Sequence, residues 1–237
     1  MNDRVVARVN EEAEAELVRI ARAQPVLFRL MYAFNYRPAE YLHPSRREGF
    51  DVPASDALWS DRRARNWLSE WILRRLGLLE RPCFDLSAAV PAVALLDAAR
   101  TQALARCVGA VVMRDHVRRG LSREDVQRWK ARITPEVYRF VMTSARLLPL
   151  PAAPLSSDES ATDEPAPDEL DVESIGFGWI DACFADAPEA ISARARLKCP
   201  VEFEPASKPG AGARQFVSAV LAAWEPQWCS SFAMARS

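Results

Sequence analysis

From Ser156 to Glu173 the chain carries eight carboxylates and no basic side chain, directly after a stretch interrupted by Pro149, Pro151 and Pro154. A segment of that composition offers too little apolar surface to offset the entropy lost on ordering, so residues 150–173 read as a disordered linker. It divides the chain into a main body, residues 1–149, and a smaller C-terminal part, residues 174–237, expected to pack on that body. Setting its eight acids aside leaves 24 acids against 31 bases, so the folded remainder is positive although the whole chain stands at −1. The linker acts either as a solvated spacer or as an electrostatic lure for basic helices or a basic partner.

Both parts read as helical, and the fold class is all-α, an irregular multi-helix domain. Val5, Val9, Ala13, Leu17 and Ile20 fall at helical spacing before Pro25, and Leu27, Phe28, Met31 and Phe34 continue after it. Pro38 and Pro44 make the intervening stretch an irregular turn, since proline disfavours helix at the residue before it. Ser60 is placed to cap a helix over 61–76, closed by Gly77, with Trp67, Leu68, Trp71, Ile72 and Leu76 on one face. Trp67 and Trp71 are expected in the core, with Arg62, Arg63, Arg74 and Arg75 largely off that face.

A further helix is expected from Pro91 to Val117, stopped by Gly120. A short one starts at Ser122 and Asp125, and another at Thr134-Pro135-Glu136, where proline's missing donor costs nothing. Helices near 175–185, 188–198 and 212–224 follow. The one strand-like string is Cys199-Pro200-Val201-Glu202-Phe203. Only 8 glycines argue against a strand-and-turn or nucleotide-cradling architecture.

The chemistry this inventory supports is narrow. The five cysteines are odd in number, scattered, and without the C-x₂-C spacing of a metal or redox site, so they read as buried free thiols of a reducing compartment. His43 and His116 lack partners at i, i+4 for a metal site, and neither sits beside a nucleophile pattern. No phosphate-binding glycine loop is present. We therefore expect no catalytic residue, no cofactor and no metal. No apolar run reaches the ~18 residues of a membrane helix, and the acid-rich N-terminus does not read as a signal peptide, which points to the cytoplasm. Trp224 and Trp228, flanking Pro226, are the candidate docking aromatics.

The string Pro38-Ala39-Glu40-Tyr41-Leu42-His43-Pro44-Ser45, followed by the helix ending Leu73-Arg74-Arg75-Leu76-Gly77-Leu78-Leu79, resembles the SctK (YscK-like) family of type III secretion adaptors. Pro38, Tyr41, Leu42 and His43 are its most specific part, and the resemblance covers about 34–119. It implies a cytoplasmic, non-enzymatic subunit of the sorting platform, peripheral to the inner-membrane base of the apparatus. Such a subunit joins the inner-membrane ring subunit SctD to the pod subunit SctQ, supports protein export, and meets SctL and the SctN ATPase indirectly. It implies neither nucleic-acid binding nor membrane insertion. Arg62, Arg63, Arg74 and Arg75 are then the candidate partner contacts. The competing reading is a helix-turn-helix DNA-binding protein, carried by Arg123, Arg128, Lys130, Arg132, Arg139 and Arg146 on two short helices between 122 and 146.

Overall fold

Pro25 opens α1 (Pro25–Tyr36), where a missing N–H costs nothing, and the helix buries Met31, Phe34 and Asn35 on one side. The computed structural model describes residues 18–19, 21–51, 55–84, 90–120, 122–148, 171–206 and 211–233. Most of the helix expected before Pro25 lies outside them, although residues 21–23 are helical. After α1 the chain makes 3₁₀ turns at Pro38–Glu40, Pro44–Arg46 and Glu48–Phe50, the irregular path that the two prolines require.

The short α2 (Asp56–Ser60) buries Trp59, and α3 (Arg62–Arg75) follows. Asp61 rather than Ser60 caps α3, its carboxylate accepting from Ala64 N–H at 2.8 Å, while the Ser60 hydroxyl closes α2 on Asp56 O. Gly77, at φ 64°, ends α3 as expected: Gly77 N–H reaches Arg74 O and Leu78 N–H reaches Leu73 O, the paired bonds of a Schellman closure.

The long helix expected from Pro91 to Val117 is instead three pieces: α4 (Pro91–Ala94), α5 (Ala98–Val112) and α6 (Arg114–Arg119). Leu95 and Leu96 turn into the core after α4, and Asp97 starts a fresh helix by accepting from Arg100 N–H at 2.8 Å. Then come α7 (Arg123–Ile133), capped by Ser122, and α8 (Pro135–Thr143), capped by Thr134, both as expected.

Asp171 caps α9 (Val172–Ala182), and Val172 is buried, so the last three residues of the anticipated linker are ordered structure. The expectation for 150–170 lies outside the described residues. The C-terminal part is no surface appendage, because α9 lies against α5 through the centre of the core. Their backbones touch: a Cβ on Gly176 would fall 1.7 Å from Ala105 O, and one on Gly109 would fall 1.8 Å from Val172 O. Only glycine permits that approach. Beyond it come α10 (Glu189–Arg196), α11 (Ala211–Trp224) and an unanticipated α12 (Pro226–Ala233). α11 packs on both α5 and α9, with Phe216, Val217, Val220 and Leu221 buried.

No strand forms at 199–203 or elsewhere among the described residues. Cys107, Cys183 and Cys199 are buried and Cys83 and Cys229 half-buried, and none of the five forms a disulfide among the described residues. Burial pushes the Cys183 and Cys199 thiols up to about 12 and Cys107 still higher, so these three are not poised as nucleophiles. No helix among the described residues is long and apolar enough to cross a membrane.

Candidate interaction surfaces

The turn that carries the family string is where the two ends of the fold are stitched together. Pro38, Ala39, Tyr41 and Leu42 are buried and His43 is half-buried. The Tyr41 hydroxyl donates to Phe34 O at 2.7 Å, and Ala39 N–H donates to the Ser69 hydroxyl of α3 at 3.2 Å. From the far end of the sequence, Leu197 O accepts from His43 N–H at 2.8 Å. Arg46 donates to Cys199 O at 2.7 Å and Pro200 O at 2.8 Å, and Val201 N–H donates to the Ser45 hydroxyl. These carbonyl contacts replace the strand pairing that the 199–203 string suggested.

His43 is a local hydrogen-bonding partner in this arrangement. Its Nδ1 accepts from Ser45 N–H at 3.3 Å and lies 2.9 Å from the Ser45 hydroxyl, with the ring edge-on to Phe177. Burial lowers its pKa, Glu173 opposes that shift, and Arg46 adds to it. The Ser45 hydroxyl is itself engaged by Val201, so the pair serves as a turn cap. His116 is half-buried on α6. Among the described residues no group of His, Cys, Asp and Glu could hold a metal ion.

Three buried polar side chains beside this turn were missed by sequence reasoning. Arg194 is fully buried and donates to Ala190 O at 2.8 Å, Leu78 O at 2.9 Å and Asn35 O at 3.4 Å. Leu78 O and Asn35 O lie at the C-terminal ends of α3 and α1, where partial negative charge gathers and a cation is favoured, while Ala190 O is one turn back on the arginine's own helix. Asn35 pairs with the Cys83 backbone in both directions, accepting at 2.7 Å and donating at 2.9 Å. Lys198 donates to Ala94 O and Leu96 O, with the Phe34 and Tyr41 rings 5.3 and 5.0 Å away. Burial pulls the Lys198 ammonium down to about 7. The run Arg194-Ala-Arg-Leu-Lys198 resembles a solvated helix end in composition. Its one clue is that Arg194 lies three residues after buried Ile191, on the inward stripe.

The tryptophan pairs exchange the roles expected of them. Trp67 is 57% exposed and Trp71 38% exposed, while the inward stripe of α3 is Leu68, Ser69, Ile72 and Leu73. The indoles stack, centroids 6.0 Å apart and planes 10° apart, and Trp71 Nε1–H donates to Phe50 O at 3.0 Å. Arg63 and Arg74, at four residues before and seven after Trp67, share this outer face instead of lying off it. Arg74 pairs with Glu70 at 2.6 Å and Arg75 with Asp51 at 2.9 Å, whereas Arg62 and Arg63 form no ion pair among the described residues.

Trp224 and Trp228 are half-buried and packed on the core. Trp224 meets Phe140 edge-on at 5.2 Å, and Trp228 Nε1–H donates to Ala92 O at 2.7 Å under the Arg100 guanidinium. They hold α12 in place and rim an open depression of about 480 Å³ with Arg100 and Glu225.

The two basic helices α7 and α8 are joined by Thr134 alone, at φ 71°, where a DNA-reading helix-turn-helix uses a turn of three or four residues. Arg128 pairs with Asp125, Lys130 lies over Tyr138, and Arg132 lies over Trp129. Much of the basic character that suggested DNA is thus engaged within the chain.

These features define an all-helical protein whose buried polar groups join its own elements and whose exposed tryptophans, among the described residues, stack on one helix. Residues 30–222 match the family described as YOP proteins translocation protein K (YscK), and the chain belongs to that family. It is a type III secretion-associated protein of the protein-transport apparatus. The match extends well beyond 34–119, the stretch that carries the resemblance, and runs across the acidic segment. No curated protein and no solved structure matches the chain.

Proposed function

We propose that this chain is a non-enzymatic adaptor of the type III secretion sorting platform, joining the cytoplasmic part of SctD to the pod subunit SctQ. Through the pods it supports SctL and the SctN ATPase, and it acts on the cytoplasmic side, peripheral to the inner-membrane base. The family match over residues 30–222 is the observation that carries this reading. The closed helical body supports it: an adaptor transmits position, and Arg46, Arg194 and Lys198 bind distant segments into one unit.

In this reading Pro38, Tyr41, Leu42 and His43 are scaffold, fixing the angle at which α3 leaves α1. Arg62, Arg63, Arg74 and Arg75 surround the partner contact, where rim charges accelerate association and set specificity. The depression at Trp224 and Trp228 is the second candidate contact. A pull-down of the tagged chain from cells expressing the secretion apparatus should recover SctQ and SctD together. Tight, steeply salt-dependent binding to duplex DNA with neither subunit recovered would overturn the assignment.

A further inference from the structure

On α3 a rigid aromatic platform faces solvent, at one end of which stand cations that form no ion pair among the described residues. The Trp71 ring is fixed by its bond to Phe50 O, and Trp67 lies parallel on it, so both indoles are already positioned. A large side chain at 57% exposure leaves most of its apolar area in water, and pre-ordered aromatics lose little entropy on binding.

The charge around the platform is uneven. Arg74 and Arg75 at the C-terminal end are neutralised by Glu70 and Asp51. Arg62 and Arg63 at the N-terminal end are exposed and form no ion pair among the described residues. α3 as a whole holds five arginines, Arg62, Arg63, Arg65, Arg74 and Arg75, against one acid, Glu70. The complement of such a face is an apolar side chain laid on the indoles, with a carboxylate toward Arg63, one turn before Trp67.

We infer that the Trp67–Trp71 face of α3 docks an acidic peptide segment with an aliphatic or aromatic anchor, contributed by a partner protein. Charge complementarity selects this occupant over a second copy of the chain, which would set arginine against arginine across a symmetric contact. The inference rests on the adaptor reading, and it deepens that reading by naming the recognising face and the chemistry it accepts.

The test uses the purified full-length chain as wild type, Trp67→Ser, Trp67→Phe and Arg63→Glu. Each is titrated calorimetrically into purified SctQ and the cytoplasmic domain of SctD, at low and at moderate salt. Melting temperatures should stay at the wild-type value, because both altered side chains are exposed. Trp67→Ser should weaken binding to one subunit at least tenfold, and Trp67→Phe should recover most of it. Arg63→Glu should slow association and flatten the salt dependence. Hydrogen exchange on that subunit should then show protection confined to an acidic segment.

Equal affinity for all four proteins would remove the contact from this face and leave the adaptor reading intact. A wild type that binds neither subunit would remove the adaptor reading and this assignment with it. A wild-type dimer that becomes monomeric in Trp67→Ser, with subunit binding unchanged, would assign the face to self-association and overturn the proposal.

Discussion

Replacing Gly176 by alanine tests the central packing of the fold. The new Cβ would lie 1.7 Å from Ala105 O and 2.4 Å from the Ala105 carbonyl carbon, where ordinary contact begins at 3.4 Å. The obstructing atoms are backbone of a buried helix, so no side-chain rotation relieves the overlap and α5 and α9 must move apart. Overpacking costs about 1–3 kcal/mol where side chains can adjust, and a rigid backbone places this case at the top of that range. Alanine returns about 1 kcal/mol of helix propensity relative to glycine, leaving a net loss of about 2 kcal/mol. For a chain of this size that corresponds to a melting temperature lower by about 4–8 °C, read by calorimetry or circular dichroism at 222 nm. Gly212→Ala is the control: nothing lies within 4 Å of its Cβ position, so it should melt at or slightly above the wild-type temperature. A Gly176→Ala protein as stable as the wild type would refute the close α5–α9 crossing.

Tyr41→Phe, which loses only the bond to Phe34 O, should cost about 1 kcal/mol, and Tyr41→Ala about 3–5 kcal/mol with secretion reduced indirectly. Wild-type stability in Tyr41→Ala would move the motif from scaffold to contact surface. The Lys198 ammonium is held near 7 in the folded chain, below its ordinary 10.5, so between these values the unfolded chain binds more protons and stability rises with pH. The raised Cys183 and Cys199 thiols reverse this trend above about pH 9. Urea titrations should therefore show a gain of up to about 3 kcal/mol from pH 7 to 9, flattened in Lys198→Met; a flat wild-type profile would show that its two carbonyls keep the lysine charged. Replacing residues 150–170 with a Gly/Ser linker, keeping the Asp171 cap, should leave helicity unchanged, since loop length costs little in closure entropy. Collapse of the fold would show that the acids neutralise the basic body.

Where a signal is local, the sequence reading placed the structure closely. The Ser122 and Thr134 caps, the Gly77 closure and the proline-bounded turn depend on a few adjacent residues, and each forms as expected. The break at Asp97 was hidden because Leu95 and Leu96 continue an apolar pattern that serves equally well for a helix and for a buried turn. Trp67 and Trp71 were misplaced because residue type was weighed above geometry: the inward stripe of α3 already had Leu68, Ile72 and Leu73, and Trp67 lies nearly opposite it. Arg194 and Lys198 were illegible for a different reason. Apart from Ala190 O, their partners are carbonyls at Asn35, Leu78, Ala94 and Leu96, more than a hundred residues away, and carbonyl groups leave no trace in a residue pattern.

The adaptor claim is tested most directly by mixing the purified chain with purified SctQ and the cytoplasmic domain of SctD and measuring the mass of the resulting species by sedimentation velocity. A bridging subunit predicts one complex containing all three components, absent whenever this chain is left out. Two separate binary complexes that never combine, or a chain that sediments alone beside both subunits, would contradict it.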